Sequence, residues 1–256
     1  MNTGDLVLVT GSAGRVGQAV VKELLARGHA VRGFDRVPSP GLADGIVGNI
    51  TDAAAVQRAM AGVKTLIHLA ATPDDADFLT ELLPNNLTAL YLVMEAARAV
   101  GVQRLILASS GQVNWWQNEK DRGPWPIRVE HPVSPKYWYA ATKMFMESIG
   151  RSYSEIHGMS VIVARLGWCP RTPEQVAEIA ASELYRDVYF SPGDAGRFFA
   201  GGVEAPASVR FAIVYATSQP LRTLRFDLEP AKQLLGFVPQ EAWPAGTEII
   251  TGHGAI

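Results

Sequence analysis

Short apolar runs and amphipathic helical stretches alternate along this chain, and no turn signal folds two neighbouring runs into a hairpin. Strands joined through helices are parallel, and a parallel sheet must be covered by helices on both faces. The runs are LVLVT (Leu6–Thr10), AVRGFD (Ala30–Asp35), a short run ending near Asn49, TLIHLAA (Thr65–Ala71), RLILASS (Arg104–Ser110) and SVIVARLG (Ser160–Gly167). Between them, apolar residues recur at helical spacing. Val16, Val20, Val21, Leu24 and Leu25 mark the first helix, and Asp52 caps a second that runs to Met60. Leu87, Leu90, Tyr91, Met94 and Ala97 share one face of Asn86–Val100, and one long helix spans Lys136 to Gly158. The expected fold is α/β: a Rossmann-like doubly wound parallel sheet. Beyond Gly167 the alternation stops. Pro170, Pro173, Pro192, Pro206, Pro220, Pro230, Pro239 and Pro244 punctuate short helices and loops, with one further strand near Phe211–Val214. In doubly wound sheets ligands bind beyond the carboxyl ends of the strands, so this irregular segment is the natural substrate cover.

Composition narrows the function classes. The 256 residues carry a net charge of −2, which offers no electrostatic footing for nucleic acid. No apolar run has the length of a membrane span; FAIVYA (Phe211–Ala216) is strand-sized. The N-terminus has no basic region followed by an apolar stretch, and the single cysteine, Cys169, forms no internal disulfide framework, so a reducing cytoplasm is expected. No metal is expected: His29, His68, His131, His157 and His253 are scattered without ligand spacing, and His68 reads as a core residue.

The first strand runs into TGSAGRVG, where Gly11, Gly14 and Gly17 are spaced three apart. Glycines let a strand turn sharply into a helix whose free N–H groups and positive dipole end attract phosphate. By itself this pattern is also that of a plain tight turn. Asp35, ending the second strand, adds a carboxylate placed to accept hydrogen bonds from ribose hydroxyls and to repel a 2′-phosphate. Arg36 beside it is either a partial counter-charge for a 2′-phosphate or a solvated charge lying over the adenine. Asn49, ending the third run, is either an adenine contact or a turn residue.

Tyr139 and Lys143 stand four apart on the long helix and share a face; neither Tyr137 nor Lys136 has such a partner one turn on. An ammonium beside a phenol stabilises the phenolate, which can then take a hydroxyl proton. The helix follows a strand that ends in Ser109 and Ser110, hydroxyls able to hold a substrate oxygen.

Taken in order, TGSAGRVG, Asp35, HLAA (His68–Ala71), Asn86 with LVMEAARAVGVQRLILASS, EHPVSPKYWYAATK and LLGFVP (Leu234–Pro239) resemble the extended short-chain dehydrogenase/reductases of the NAD-dependent epimerase/dehydratase type, over essentially the whole chain. The resemblance implies NAD as cofactor and Ser110, Tyr139 and Lys143 as the catalytic set, with Ser109 the fallback for Ser110 and Lys143 also bonding the nicotinamide ribose. It places NAD against Gly11, Ala13, Gly14, Arg15 and Val16, Asp35 and Arg36, Asn49 and Ile50, Leu69, Ala70 and Ala71, Asn86, and Leu166. Residues 1–167 then form the NAD-binding core with the catalytic residues. Residues 168–256 form a substrate-binding region that completes the sheet, the whole being one unit. Homodimers or higher homo-oligomers through the two long helices are implied as well.

The family contains dehydrogenases, epimerases and dehydratases. Gly111 and Gln112 follow Ser110 where dehydratases carry Asp-Glu, and the segment after the sixth strand is short for holding a nucleoside diphosphate. Length and the segment ARLGWCPRTPE resemble uronate dehydrogenases, which implies a small sugar or sugar-acid substrate touching Thr72, Ser110, Gln112, Trp115, Trp168 and Arg171. Arg171 is a bidentate partner for a substrate carboxylate or a solvated loop charge. Pro73 and Trp168 stand where that group has serines. The segment NWWQNEKDRGPWP (Asn114–Pro126) is longer than a connection needs; Trp115, Trp116 and Trp125 form a lid or pack the loop onto the body. An NAD-dependent epimerase and an NAD-binding sensor without turnover are the competing functions.

Overall fold

The structure is a computed structural model that describes residues 5–114 and 125–248. Seven strands form one sheet: β1 (Val7–Thr10), β2 (Val31–Asp35), β3 (Gly45–Val47), β4 (Thr65–His68), β5 (Arg104–Ser110), β6 (Ser160–Leu166) and β7 (Phe211–Ala216). Their order is β3-β2-β1-β4-β5-β6-β7, and every neighbouring pair is parallel. Thr10 at the end of β1 pairs with Phe34 on one side and His68 on the other. The strand order reverses there, and the crevice it opens is where the ligand site of such a sheet is built.

The helices are α1 (Arg15–Ala26), α2 (Ala53–Met60), a π-helical segment (Phe78–Thr88) running into α3 (Ala89–Val100), α4 (Trp138–His157), α5 (Pro173–Ala181), α6 (Glu183–Asp187), α7 (Pro192–Glu204) and α8 (Glu229–Leu235). Successive strand residues point to opposite faces, and both faces are covered. Val7, Val9, Ile67, Ile106 and Val214 pack under Val20 and Leu24 of α1, Phe198 and Phe199 of α7 and Leu235 of α8. Leu8, Leu66, Leu105, Leu107 and Val163 face Val56 and Met60 of α2, Leu90 and Met94 of α3 and Met146 of α4. Each of these fully buried side chains contributes ~1.5–3 kcal/mol.

Two elements differ from the sequence expectation. The helix read as starting at Asn86 begins earlier, as the π-helical segment, which includes Pro84 and Asn86 and whose first turn is capped by the Asp77 carboxylate through the N–H of Thr80 at 2.9 Å. Proline inside an apolar stretch reads as a break; wider π-type turns tolerate it here. The C-terminal region also holds a thirteen-residue helix, α7, rather than only short pieces. Gly196, Gly201 and Gly202 lower its intrinsic propensity, and burial of Phe198, Phe199 and Val203 against the sheet overrides that. Among the described residues no helix is long and apolar enough to cross a membrane.

Candidate active site

A cavity of about 830 Å³ opens over the carboxyl ends of the central strands. At one end lies the glycine loop. Gly11 leaves β1 with φ +73°, and a Cβ there would stand 2.9 Å from the Ala70 backbone nitrogen. A Cβ on Gly17 would be 2.0 Å from the Gly11 carbonyl oxygen. These two glycines therefore bring β1, β4 and α1 together. Gly14 occupies the α1 N-cap, where no side chain bonds the first turn, so the helix start is left to the cavity. Asp35 ties the loop to β2: one carboxylate oxygen accepts the Ala13 N–H at 3.0 Å, the other the Arg36 N–H at 2.6 Å.

The other end holds Ser110, Tyr139 and Lys143. Tyr139 stands in the first turn of α4, and the Asp75 carboxylate accepts its backbone N–H at 3.3 Å, capping that helix from the loop after β4. One turn on, the buried Lys143 ammonium donates to the Ala108 carbonyl at 2.9 Å and lies 5.4 Å from the Tyr139 ring centroid. Burial lowers the Lys143 pKa to about 8, so its charge persists at neutral pH. For Tyr139 the expected lowering of the phenol pKa is not what the free site does. Burial pushes it up, the nearby Asp74 adds to this, and a hydrogen bond with Ser110 and the charge of Arg171 only partly oppose it.

Ser109 also lines the cavity, but its hydroxyl is engaged by a buried network. Its hydroxyl donates to Glu147 of α4 at 2.7 Å, and Arg165 of β6 grips the same carboxylate with Nε at 2.9 Å and Nη2 at 2.8 Å. Arg165 continues to the Tyr215 hydroxyl at 3.1 Å, which donates to Asn114 Oδ1 at 2.6 Å. This buried network fixes β5, α4, β6 and β7 under the reactive end. It separates the two serines, which both line the cavity: the Ser109 hydroxyl is taken up by Glu147, and the Ser110 hydroxyl lies beside Tyr139. His68 is a core residue, as expected. Thr10 Oγ1 accepts the N–H groups of Leu69 and Ala70 and donates to His68 Nδ1 at 2.8 Å. Burial, then the charge of Lys143, drives the imidazole pKa down to about 3.

The family model for the NAD dependent epimerase/dehydratase family matches residues 7–168. The chain belongs to that family. It is an NAD-dependent enzyme of the dehydrogenase/reductase kind. L-arabinose 1-dehydrogenase (NAD(P)(+)) of Haloferax volcanii is 31% identical over 78% of this chain and 82% of its own length. Uronate dehydrogenase of Pseudomonas putida is 27% identical over 92% of this chain and 84% of its own. The crystal structure of glucuronic acid dehydrogenase from Chromohalobacter salexigens superposes with a TM-score of 0.77 at 25% identity, covering 98% of this chain and 90% of that one.

The cavity suits the dinucleotide of this family: an uncapped helix start at one end, an acid at the end of β2, and length enough to reach Lys143. Gly11, Ala13, Gly14, Arg15, Val16, Asp35, Arg36, Ile50, Leu69, Ala70, Ala71 and Leu166 all line it. Two residues expected to touch NAD do not line it. Asn49 is a turn residue: its Oδ1 accepts the Thr51 N–H and hydroxyl, both at 3.0 Å. Asn86 is buried and holds Thr72 through N–H to Oδ1 (2.8 Å) and Nδ2 to the carbonyl (3.1 Å), shaping the loop after β4 from behind. Of the expected substrate contacts, Thr72, Gln112, Trp168 and Arg171 join Ser110 in the wall, while Trp115, with Trp116 of the same tryptophan-rich segment, lies outside the described residues. Trp125 packs on the body, with the Arg225 guanidinium 4.7 Å from its ring centroid. The sequence reading passed over Asp74, Gln175, Glu178 and Tyr185, which also line this end. Gln175, Glu178 and Tyr185 signalled themselves only by position in the predicted substrate cover, and Asp74, in the loop after β4, by nothing.

Proposed function

We propose that this chain oxidises a hydroxyl of a small sugar or sugar acid, with Tyr139 as the base. The carrying observation is the gathering of Ser110, Tyr139 and Lys143 at one end of a cavity whose other end is the glycine loop and Asp35. In this reading Gly11, Gly14 and the start of α1 hold the pyrophosphate, Asp35 the adenosine ribose, and Lys143 the nicotinamide ribose. NAD, when bound, supplies the hydride acceptor. The Ser110 hydroxyl holds the substrate oxygen, and the proton moves from that oxygen to Tyr139 Oη. Burial reduces the fraction of phenolate and at the same time makes it a stronger base; the Lys143 ammonium nearby compensates the charge while the proton is absent. Residues 168–256 act as the substrate-binding region and supply Trp168, Arg171 and Tyr185 to the wall.

The test is reduction of NAD, followed by absorbance, across a panel of sugars and sugar acids. NADH accumulates with the true substrate, and Tyr139→Phe lowers turnover by about 10²–10⁴-fold. Isomerisation without net NADH would identify an epimerase, and tight NAD binding with no turnover on any substrate would identify a sensor. We further propose a homodimer through α3 and α4, supported by the exposed Tyr91, Trp138, Phe145 and Ile156 on these helices, which light scattering of the purified protein tests. The single cysteine supports a reducing, cytoplasmic setting.

A further inference from the structure

We propose that Asp74 decides the substrate class: by engaging Arg171 it adapts the sugar end of the cavity to a neutral aldose and against a sugar acid. This deepens, and rests on, the sugar-dehydrogenase reading above.

Arg171 stands in the loop after β6 and lines the reactive end; the Arg15 guanidinium, from the start of α1, approaches Cys169 and donates to the Gly246 carbonyl, and Arg36 follows Asp35 at the end of β2. A substrate carboxylate would seek Arg171. The Asp74 carboxylate already forms an ion pair with Arg171 Nη2. Gln175 of α5 holds this arrangement on both sides. Its Oε1 accepts the Arg171 backbone N–H at 2.7 Å, and its amide nitrogen lies 3.5 Å from Asp74 Oδ2. Glu178, farther along the same helix, brings a second carboxylate into the wall. The other cations there are committed elsewhere: Lys143 to the Ala108 carbonyl, and Lys136 at the rim, 4.8 Å from the Tyr137 ring centroid.

A uronate reaching for Arg171 therefore has to displace Asp74 or share one guanidinium with it, with Glu178 close by. Like charges set together oppose binding. A neutral sugar meets no such opposition. Its hydroxyls donate to the same carboxylates, and Trp168 and Tyr185, edge to face at 4.8 Å, offer apolar surface beside them.

The experiment compares kcat/KM for galactose and arabinose with that for galacturonate and glucuronate, in the wild type, Asp74→Asn and Arg171→Gln. Asp74 has φ 62°, a conformation asparagine adopts readily, so Asp74→Asn removes the charge and keeps the loop. Both substrate classes use the same Tyr139, so any effect of Asp74 on the phenol cancels in the ratio. The wild type is expected to favour the neutral sugars, and Asp74→Asn to shift the ratio toward the uronates by about tenfold, the scale of one partly exposed charge contact. Arg171→Gln is expected to change the wild-type ratio by less than about threefold, because its charge is already paired. Calorimetry with NAD-saturated Tyr139→Phe reads the same preference without turnover. A wild type that prefers uronates, an unchanged ratio in Asp74→Asn, or loss of uronate activity alone in Arg171→Gln overturns the proposal. Failure of every sugar to bind or turn over instead refutes the sugar-dehydrogenase reading itself, and this proposal with it.

Discussion

Alanine at Ser109 and at Ser110 should produce opposite phenotypes although the two residues are adjacent. The Ser109 hydroxyl is buried and donates to Glu147 Oε1 at 2.7 Å. A buried hydrogen bond to a charged group contributes ~1.5–3 kcal/mol. Glu147 does not become an orphaned charge when it is lost, because Arg165 still holds both of its oxygens, at 2.9 and 2.8 Å. The loss should therefore stay near that range and well short of the ~3–5 kcal/mol of a broken buried ion pair. At ~2–4 °C per kcal/mol for a chain of this size, Ser109→Ala should melt several degrees lower while keeping turnover close to wild type. Ser110 sits in the cavity wall against Tyr139. Removing a hydroxyl that holds the reacting oxygen costs about 10²–10³ in kcat, so Ser110→Ala should lose turnover, with a melting loss limited to the one long cap its hydroxyl makes to the Gln112 N–H at 3.2 Å, ~0.5–1 kcal/mol. Differential scanning fluorimetry and NADH production measure the two effects on the same preparations. If Ser109→Ala lost turnover and Ser110→Ala kept it, the assignment of the substrate hydroxyl to Ser110 would be refuted, and the Glu147 contact would have misled.

Three other outcomes follow from the same structure. His68 titrates at about 3 in the folded chain and near 6.5 when unfolded. The unfolded state thus binds the extra proton between those values, and stability present above 6.5 is lost as pH falls toward 3. Asn at position 68 keeps an acceptor for Thr10 and cannot titrate, so the melting temperature of His68→Asn should fall less steeply over pH 6.5–4 than that of the wild type. Arg104, fully buried, donates to the carbonyls of Gly202, Val203 and Ala205 at the end of α7, to that of Pro206, and to the Ser160 hydroxyl. Arg104→Met should cost about 3 kcal/mol in denaturant unfolding by leaving those carbonyls unpaired. In the glycine loop, Gly17→Ala should abolish NAD binding measured by fluorescence titration, since its Cβ would lie 2.0 Å from a carbonyl oxygen; the 3.3 Å contact at Gly14 makes Gly14→Ala far milder.

The sheet was legible because its signal is local. Alternate residues such as Val7 and Leu8 must both be apolar when helices cover both faces, and the helix stripes at 3.6-residue spacing supply those covers. The glycine loop, Asp35 and the Tyr139–Lys143 spacing were legible for the same reason, since each motif lies within one strand, one turn or one helix. Asn49 and Asn86 were not decidable from sequence, because an asparagine side chain serves a turn or a neighbouring backbone as readily as a ligand; the fold shows their contacts to Thr51 and Thr72. Asp74, Gln175 and Glu178 stayed hidden because they come from two distant segments with no periodic pattern, joined only by the folded loops after β4 and β6.

The phenol of Tyr139 shows how far local spacing carries and where it stops. Four residues of helix place an ammonium beside it, which argued for an acidified phenol. The fold then adds two things that spacing does not contain: burial of both groups, and Asp74 from a loop sixty-five positions earlier in the chain. Both act against phenolate, and burial is the larger. A base held mostly protonated in the free site is rarer as phenolate and a stronger base when the phenolate forms. The same carboxylate that raises the phenol also engages Arg171. On the proposed reading Asp74 couples base strength to substrate charge: removing its charge should ease phenolate formation for every substrate and raise the acceptance of sugar acids. A rise in turnover of neutral sugars together with a larger rise for uronates would carry the signature of both effects at once.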